Sequence, residues 1–463
     1  MPPPLLAEEP DFAAFIAIDW ADRQHVWVLQ VAGGTQREMG RLEHTPEDIE
    51  AWAVQCATRF SGRPVAVALE QAHGSLIYAL SQYSHLVLYP IHPTTSHNYR
   101  KAVYPCGSKD DGRDAHALLD LLTAHRDRLR RIDPDTEQTR HLQALVQKRR
   151  QLVDQRTAQT NRITDQLKLY FPQVLQWFDD LASPMLAAFL QRWPTLPQLQ
   201  AEHPEQVRTF LYPHGSRSAA RIQQRLEEIP VAKPLMTDAA VIEPGVLVVR
   251  TLLAVVAALS AGIRELEQAI HQIATSHPDY FIFSSFPASG AVMAPRLVAA
   301  FGSQRERYTH ANQMQSFSGI APVRQASGQQ CTILFRWACP KFLRQTFHEY
   351  AALSIQHCAW ARAFYDQQKQ HKKSHHAAVR ALAFKWIRIM FRCWQSRQPY
   401  QESLFLAARQ GRAIPLARRP GHTPRQRSSP CRAKQAFTAP TEETVDFGLR
   451  KAGDILKSLM EEA

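Results

Sequence analysis

Two short apolar runs near the start of the chain each stop at an acid: Phe15-Ile-Ala-Ile-Asp19, and Val65 to Leu69 followed by Glu70. Runs of this length and composition specify β-strands, and His25–Val31, after a tight polar connection, makes the first of them half of a hairpin. Thr45–Phe60, with Ile49, Trp52 and Val54 among its apolar positions, predicts a helix; Leu76–Leu80 predicts another, and His85–Ile91 a further strand. Strands first in a hairpin and then alternating with helices describe a mixed sheet covered by helices. In open α/β sheets, chemistry collects at the carboxyl ends of strands, where Asp19 and Glu70 stand.

A third acidic stretch follows. Ser108-Lys-Asp-Asp-Gly-Arg-Asp-Ala115 runs into the apolar pattern Ala117, Leu118, Leu121, Leu122, which predicts the start of a helix. The spacing of Asp111 and Asp114 puts both carboxylates on one side, with Cβ atoms about 5–6 Å apart. Such acids repel unless a cation sits between them, or they simply complement the positive end of the helix dipole. Together Asp19, Glu70, Asp111 and Asp114 supply hard oxygen ligands that could hold two divalent ions about 3.5–4 Å apart, the spacing that stabilises the attacking and leaving oxygens of a phosphodiester.

A chain of 463 residues is too long for one ordinary core, so two or three domains are expected. Its net charge of +13 and pI near 9.5 make a polyanion the leading partner class. Seven scattered cysteines, odd in number and without a close zinc-type pair, fit free thiols in a reducing cytoplasm. Met1–Pro10 lacks a basic leader, and the most apolar run, Val246–Leu259, is interrupted by Arg250 and falls short of a membrane span. A soluble protein with no membrane partner is the expectation.

Thr136–Tyr170 is polar, helical and dense in Lys148, Arg149, Arg150, Arg156 and Arg162. Further on, Leu252, Val256, Leu259, Ile263, Leu266, Ile270 and Ile273 form a heptad stripe, which suits either packing within the chain or a seam with a second subunit. Between these, Pro172–Pro244 breaks into short pieces and predicts an irregular helical insert. From Arg409 to Lys434 the chain is rich in Arg, Pro, Gly and Ser without an acid, so it cannot bury a core and is expected to be disordered alone; Thr444–Met460 could form a short terminal helix.

Ser285-Phe-Pro-Ala-Ser-Gly290, ahead of Ala294–Phe301, has the small-residue turn of a helix-hairpin-helix, whose free amides can meet a phosphate. Phe317-Ser-Gly-Ile-Ala-Pro-Val-Arg-Gln-Ala-Ser-Gly328 comes next, then Phe335-Arg-Trp-Ala-Cys-Pro-Lys-Phe-Leu-Arg344 and an amphipathic helix through Ser354. Arg324, Arg336, Lys341 and Arg344 flank Ser327 and suit phosphate contact. Trp337 and Phe342 are assigned to packing, with base stacking as the other reading. Trp360, Phe364, Trp386, Phe391 and Trp394 belong to an aromatic core, and Lys369–His376 to an exposed run in which metal binding by His371, His375 and His376 is the weaker reading.

The motifs Phe-Ile-Ala-Ile-Asp19-Trp-Ala-Asp, Ala-Leu-Glu70 and Lys-Asp-Asp111-Gly-Arg-Asp114-Ala, with the Gly-Ile-Ala-Pro and Ser327-Gly core downstream, resemble the DEDD insertion-sequence transposases, the group that includes the Piv invertases. The resemblance covers roughly residues 12 to 400 and is weakest over 172 to 244. It implies an α/β plus α fold: a RuvC-type, ribonuclease-H-like mixed-sheet domain over 12–135 after a disordered 1–11, a long-helix, coiled-coil-like region over 136–277, a mostly helical C-terminal transposase domain over 278–400, and a basic tail over 401–463. The family usually has Lys-Thr-Asp where this chain has Lys109-Asp110-Asp111, so Asp110 rivals Asp111, as Asp22 rivals Asp19. The resemblance further implies Mg2+, with Mn2+ as substitute, on the four acids and Ser327 as the nucleophile that joins DNA, in a composite site, with Ser316 and Ser318 as the nearby alternatives. Its implied partners are donor and target DNA and a structured noncoding bridge RNA. It also implies a homodimer or homotetramer in a cytoplasmic, nucleoid-associated setting. A junction-resolving metal nuclease would need the acids but not Ser327; an architectural nucleic-acid-binding protein would need neither. A sugar-kinase-like use of the fold would require a Gly-rich phosphate loop after the first strand, which Asp19-Trp-Ala-Asp22 does not supply.

Overall fold

The computed structural model describes residues 10–70, 74–103, 111–212, 218–327, 330–403 and 406. Asp110, Gly328, Cys106, Cys431 and the basic tail with its terminal helix lie outside these residues, as does the side chain of Asp111. The chain divides into two compact units, Met1–Thr309 with Trp394–Gln398, and His310–Cys393 with Pro399–Ala463.

The first unit opens with a five-stranded sheet: β1 (Ala14–Asp19), β2 (Gln24–Val31), β3 (Arg37–Glu43), β4 (Val65–Leu69) and β5 (Leu86–Pro90). Their order is β3-β2-β1-β4-β5; β1 to β3 form an antiparallel meander, and β4 and β5 run parallel to β1. The mixed, helix-covered sheet expected from the apolar runs is therefore present. β3 was not anticipated. As an edge strand it needs only the ladder to β2, and Leu42 is its one buried side chain, so the apolar alternation that marks a strand is missing.

Side chains alternate across this sheet, and the two faces have different covers. Ala14, Ile16, Ile18, Val65, Val67 and Leu69 share a core with α1 (Pro46–Arg59) and α2 (Ser75–Leu80). Thr45 caps α1 by accepting from the Asp48 N–H at 3.2 Å. After α3 (Pro93–Val103), α4 (Asp111–His125) covers the other face, where Ala17, Ala66, Ala68 and Val28 meet Ala115, Leu118, Leu119 and Leu122. The alanines matter here. Small side chains on the two central strands let α4 lie close to the sheet.

Two long helices follow, α5 (Glu137–Tyr170) and, after five short ones, α11 (Ala239–Thr275). The short helices are α6 (Val174–Trp177), α7 (Pro184–Arg192), α8 (Leu196–Gln200), α9 (Pro204–Leu211) and α10 (Ala219–Val231), matching the expected irregular insert. They wrap Trp177, Phe189, Trp193 and Phe210 into one core with Leu167 of α5 and Val256 of α11. The long helices pair antiparallel: Gln138 donates to Ser276 Oγ at 2.9 Å, Arg149 donates to Glu267 at 2.9 Å, and Tyr170 lies beside Gly245. Leu252, Val256, Ile263 and Ile270 are buried and Leu259, Leu266 and Ile273 partly buried, so much of the heptad stripe packs within the chain, against α5. By length and composition α11 is sufficient to cross a membrane, contrary to the sequence expectation for this region; its apolar stripe is packed against α5 and the insert.

The first unit ends in α12 (Tyr280–Ser284) and α13 (Met293–Phe301), joined by the Ser285–Gly290 turn with Ala288 at φ 62°. The second unit carries α14 (Ala311–Phe317), a ribbon of β6 (Val323–Ser327) and β7 (Gln330–Leu334), then α15 (Lys341–His357), α16 (Ala359–Gln370) and α17 (His375–Ser396), whose end from Trp394 belongs with the first unit. Trp386 is its centre: its ring meets Trp360 at 4.5 Å and Tyr350 at 5.3 Å, and its indole N–H donates to Ser354 Oγ at 2.8 Å.

Candidate active site

Asp19 and Glu70 are brought together by strand register. In the parallel β1–β4 pair, Ile18 stands opposite Leu69, so the next residue on each strand is an acid at the same edge of the sheet. Neighbouring strands lie about 4.8 Å apart. Alternation also fixes the face: Ala17 and Ala68 point at α4, and Asp19 and Glu70, two residues further on, share that side.

Asp114 reaches the same place from above. On α4 it precedes Leu118, Leu121 and Leu122 by four, seven and eight residues, so it continues the stripe that packs on the sheet. One turn earlier stands Asp111, the first residue of α4. Asp22, in contrast, is exposed in the β1–β2 turn.

Asp114 contacts one cation, Arg100, on which the charges of Glu70 and Asp19 also act. Arg100, near the end of α3, donates to both carboxylate oxygens of Asp114, at 2.6 Å to Oδ2. This hydrogen bond holds the guanidinium pKa above its ordinary value against desolvation, and the negative charges of Asp114, Glu70 and Asp19 act in the same direction as the bond. Among the described residues, no three His, Cys, Asp or Glu are grouped closely enough to hold a metal ion.

Nothing in the sequence marks Arg100, because Pro93–Val103 offers no apolar stripe and only Ser96 is buried. Nor does it mark a relay on the opposite face. The Ala21 N–H donates to His25 Nδ1 at 3.2 Å, which leaves the His25 proton on Nε2 to be donated to His44 Nδ1 at 2.8 Å. His44 Nε2 then faces Ser75 Oγ at 2.9 Å. His25 is fully buried, and burial, with His44 nearby, pushes its pKa down against a smaller opposing effect of Glu43. The relay ties the turn after Asp19 to the start of α2, which follows Glu70.

In the second unit, Ser327 is exposed and ends β6, opposite Gln330 at the hairpin tip. The four basic residues that flank it in sequence divide into two kinds. Arg324 and Lys341 are exposed, Arg324 donating across the ribbon to Cys331 Sγ at 3.2 Å. Arg336 and Arg344 are half-buried and hold the connection after β7: Arg336 donates to the Ala321 carbonyl at 3.2 Å, and Arg344 to the Arg336 carbonyl at 3.3 Å. Lys341 opens α15, where the helix dipole is already positive. Phe342 is half-buried, whereas Trp337 is 79% exposed, which corrects its assignment to packing. The exposed run Lys369–His376 is as expected.

Two family profiles match the chain, each over one of these regions: the DEDD transposase type over residues 16–172 and the IS116/IS110/IS902 transposase family over residues 281–366. The chain belongs to the IS110-type insertion-sequence transposases. A Streptomyces coelicolor protein named as a candidate mini-circle transposase for IS117 is 26% identical over 401 residues, spanning 85% of this chain and 97% of the relative. An IS110-element protein of 43.6 kDa from the same species is 25% identical over 62% of this chain and 71% of its own length. An insertion-element IS900 protein of Mycobacterium paratuberculosis is 23% identical over 65% and 75%. In this transposase the first match holds Asp19, Glu70, Asp111 and Asp114, and the second holds Ser327 with its four basic neighbours.

Proposed function

We propose that the transposase cuts and rejoins DNA strands with a RuvC-like acidic site and Ser327 as nucleophile. The observation that carries this is the convergence of Asp19, Glu70 and Asp114 on one guanidinium. Carboxylates acting on one guanidinium favour positive charge there; as placed they are not grouped closely enough to share a metal ion, so binding one would draw them together. The sheet order β3-β2-β1-β4-β5, with acids at the ends of β1 and β4 and on the covering helix, supports the ribonuclease-H-like reading.

The donor set fits Mg2+, or Mn2+, since carboxylate oxygens are the ligands that hard cations take. Asp19, Glu70, Asp111 and Asp114 would hold it, and when bound it would supply charge to the oxygens of the reacting phosphodiester. Arg100 would leave Asp114 and turn to a phosphate. Ser327 Oγ would form a bond to phosphorus as the phosphorus–oxygen bond of the scissile linkage breaks. Its proton goes to a base or solvent, and the deoxyribose oxygen leaves as a hydroxyl. Attack of a strand's hydroxyl on the serine ester then restores Ser327 and rejoins DNA. Arg324 stands on the same strand as Ser327, and Arg336, Lys341 and Arg344 follow the far end of the ribbon, basic groups suited to the phosphate backbone.

Donor and target DNA are the substrates of this reading, and a structured noncoding bridge RNA selects them by base pairing. Delegating sequence choice to RNA leaves the protein to read backbone and shape, which suits a chain of net charge +13. It would work in the cytoplasm, at the nucleoid, as a homodimer or homotetramer.

The test is to incubate the full-length protein and its co-purifying RNA with end-labelled DNA and Mg2+ and to map any denaturant-resistant adduct. An adduct at Ser327, absent in Ser327→Ala, supports serine recombination. Metal-dependent cleavage that persists in Ser327→Ala would leave a junction-type nuclease instead.

A further inference from the structure

Trp337 is the most exposed large apolar side chain among the described residues, at 79%. It stands on the connection between β7 and α15. Its ring is held from below. Phe335 meets it edge-on, with centroids 4.8 Å apart and planes at 68°, and the ring of Phe335 is in turn covered by Arg344 at 4.8 Å and Arg380 at 4.5 Å. Arg344 also bonds the Arg336 carbonyl, and Arg336 bonds the Ala321 carbonyl, so the residue before Trp337 is tied down. An exposed indole fixed by a packed ring and two guanidiniums is built to receive something flat.

The charge around it names the class of occupant. From His310 to Cys393 the chain carries twelve lysines and arginines but two acids, Glu349 and Asp366. Such a surface draws a polyanion, and among polyanions only nucleic acid brings a π-face of its own.

We infer that Trp337 is a stacking platform for an unpaired nucleobase of the nucleic acid that the second unit engages. The inference rests on the nucleic-acid reading above and adds the residue and the position. Ser327 and Gln330 close one end of the ribbon, and Val323 and Leu334 the other, beyond which Trp337 follows. Four residues of strand span about 14 Å. The stacked base is therefore placed beyond the end of the ribbon remote from Ser327. DNA and RNA both offer the base.

The experiment uses the full-length protein with single-stranded DNA and RNA oligonucleotides, each carrying 2-aminopurine, whose fluorescence is quenched by stacking. Parent, Trp337→Ala and Trp337→Phe are compared by affinity, quenching and salt dependence. Trp337→Ala is expected to weaken binding about tenfold in at least one arm and to abolish quenching, with Trp337→Phe within about threefold of the parent. The arm that responds identifies DNA or RNA as the source of the base. The salt slope is expected to stay unchanged, because no charge is removed. Equal affinity and quenching in Trp337→Ala overturn the stacking inference alone. Equal affinity with a smaller assembly by sedimentation also overturns it, and gives the indole to a second copy of the chain. A parent protein that binds neither oligonucleotide at low salt overturns the nucleic-acid reading and this inference together.

Discussion

Arg100 holds both carboxylate oxygens of Asp114 within the negative field of Asp19 and Glu70. A divalent ion drawn to those acids has to compete with the guanidinium for Asp114. Arg100→Gln should therefore tighten Mn2+ binding by about threefold or more, read from the loss of the free-ion electron paramagnetic resonance signal. Weaker binding in the variant would mean that Arg100 helps to assemble the site rather than compete for it.

Neutralising the acids separates chemistry from binding. Asp19→Asn, Glu70→Gln and Asp114→Asn are each expected to reduce strand exchange by about a hundredfold or more, with DNA affinity kept within a few-fold. All three residues are only partly buried, so global unfolding is not the expected route to the loss. Recombination by Glu70→Gln at the parental rate would remove it from the metal-site assignment.

Acid should destabilise the fold through buried histidines. His277 accepts from the Asp279 N–H through Nδ1 at 3.1 Å and meets Thr139 Oγ1 through Nε2 at 3.0 Å, so it is neutral in the folded protein. Burial pushes its pKa below 6.5, opposed by Asp279 and Asp135 and aided by Arg305. The unfolded chain therefore takes up the proton first. Stability is full above about pH 6.5, falls as the pH drops below it, and levels off beneath the folded pKa. His25 and His348 shift in the same direction. Thermal midpoints that decline from about pH 7.5 to 5.5, with a shallower decline in His277→Gln, are expected; midpoints that rise would contradict the sign.

Gly302 ends α13 at φ 73°, and a Cβ there would strike Asp135. That carboxylate is immobilised, accepting from the Ser303 N–H at 3.0 Å and the Thr136 N–H at 2.8 Å. Backbone strain and the displaced acid act together, so Gly302→Ala is expected to cost about 1–3 kcal/mol of unfolding free energy. Equilibrium denaturation of the variant measures it, and a change below about 0.5 kcal/mol would show that Asp135 moves aside freely.

The elements legible in the sequence were those whose signal is local. Phe15–Asp19 buries its middle residues and ends on an acid, and Val65–Leu69 is wholly buried and followed by one, so strand, carboxyl end and candidate ligand appear together. β3 and α3 were illegible because each buries a single side chain and owes its place to a neighbour. For the same reason Arg100 carried no signal: what marks it is Asp114, fourteen residues away and joined to it only by the fold. Trp337 failed differently. Composition places a tryptophan inside by default, and only its exposure reveals otherwise.

The parity that sets Asp19 and Glu70 on one side of the sheet also governs which sequence changes the site can survive. One residue inserted within β1 would turn Asp19 toward the α2 side, keeping the acid in the sequence but removing it from the site. A second insertion would restore its aim while lengthening the strand. Descendants of this chain can therefore vary β1 in steps of two far more readily than in steps of one, and a mobile element that accumulates frame-preserving insertions there would lose or keep its chemistry according to whether their number is odd or even.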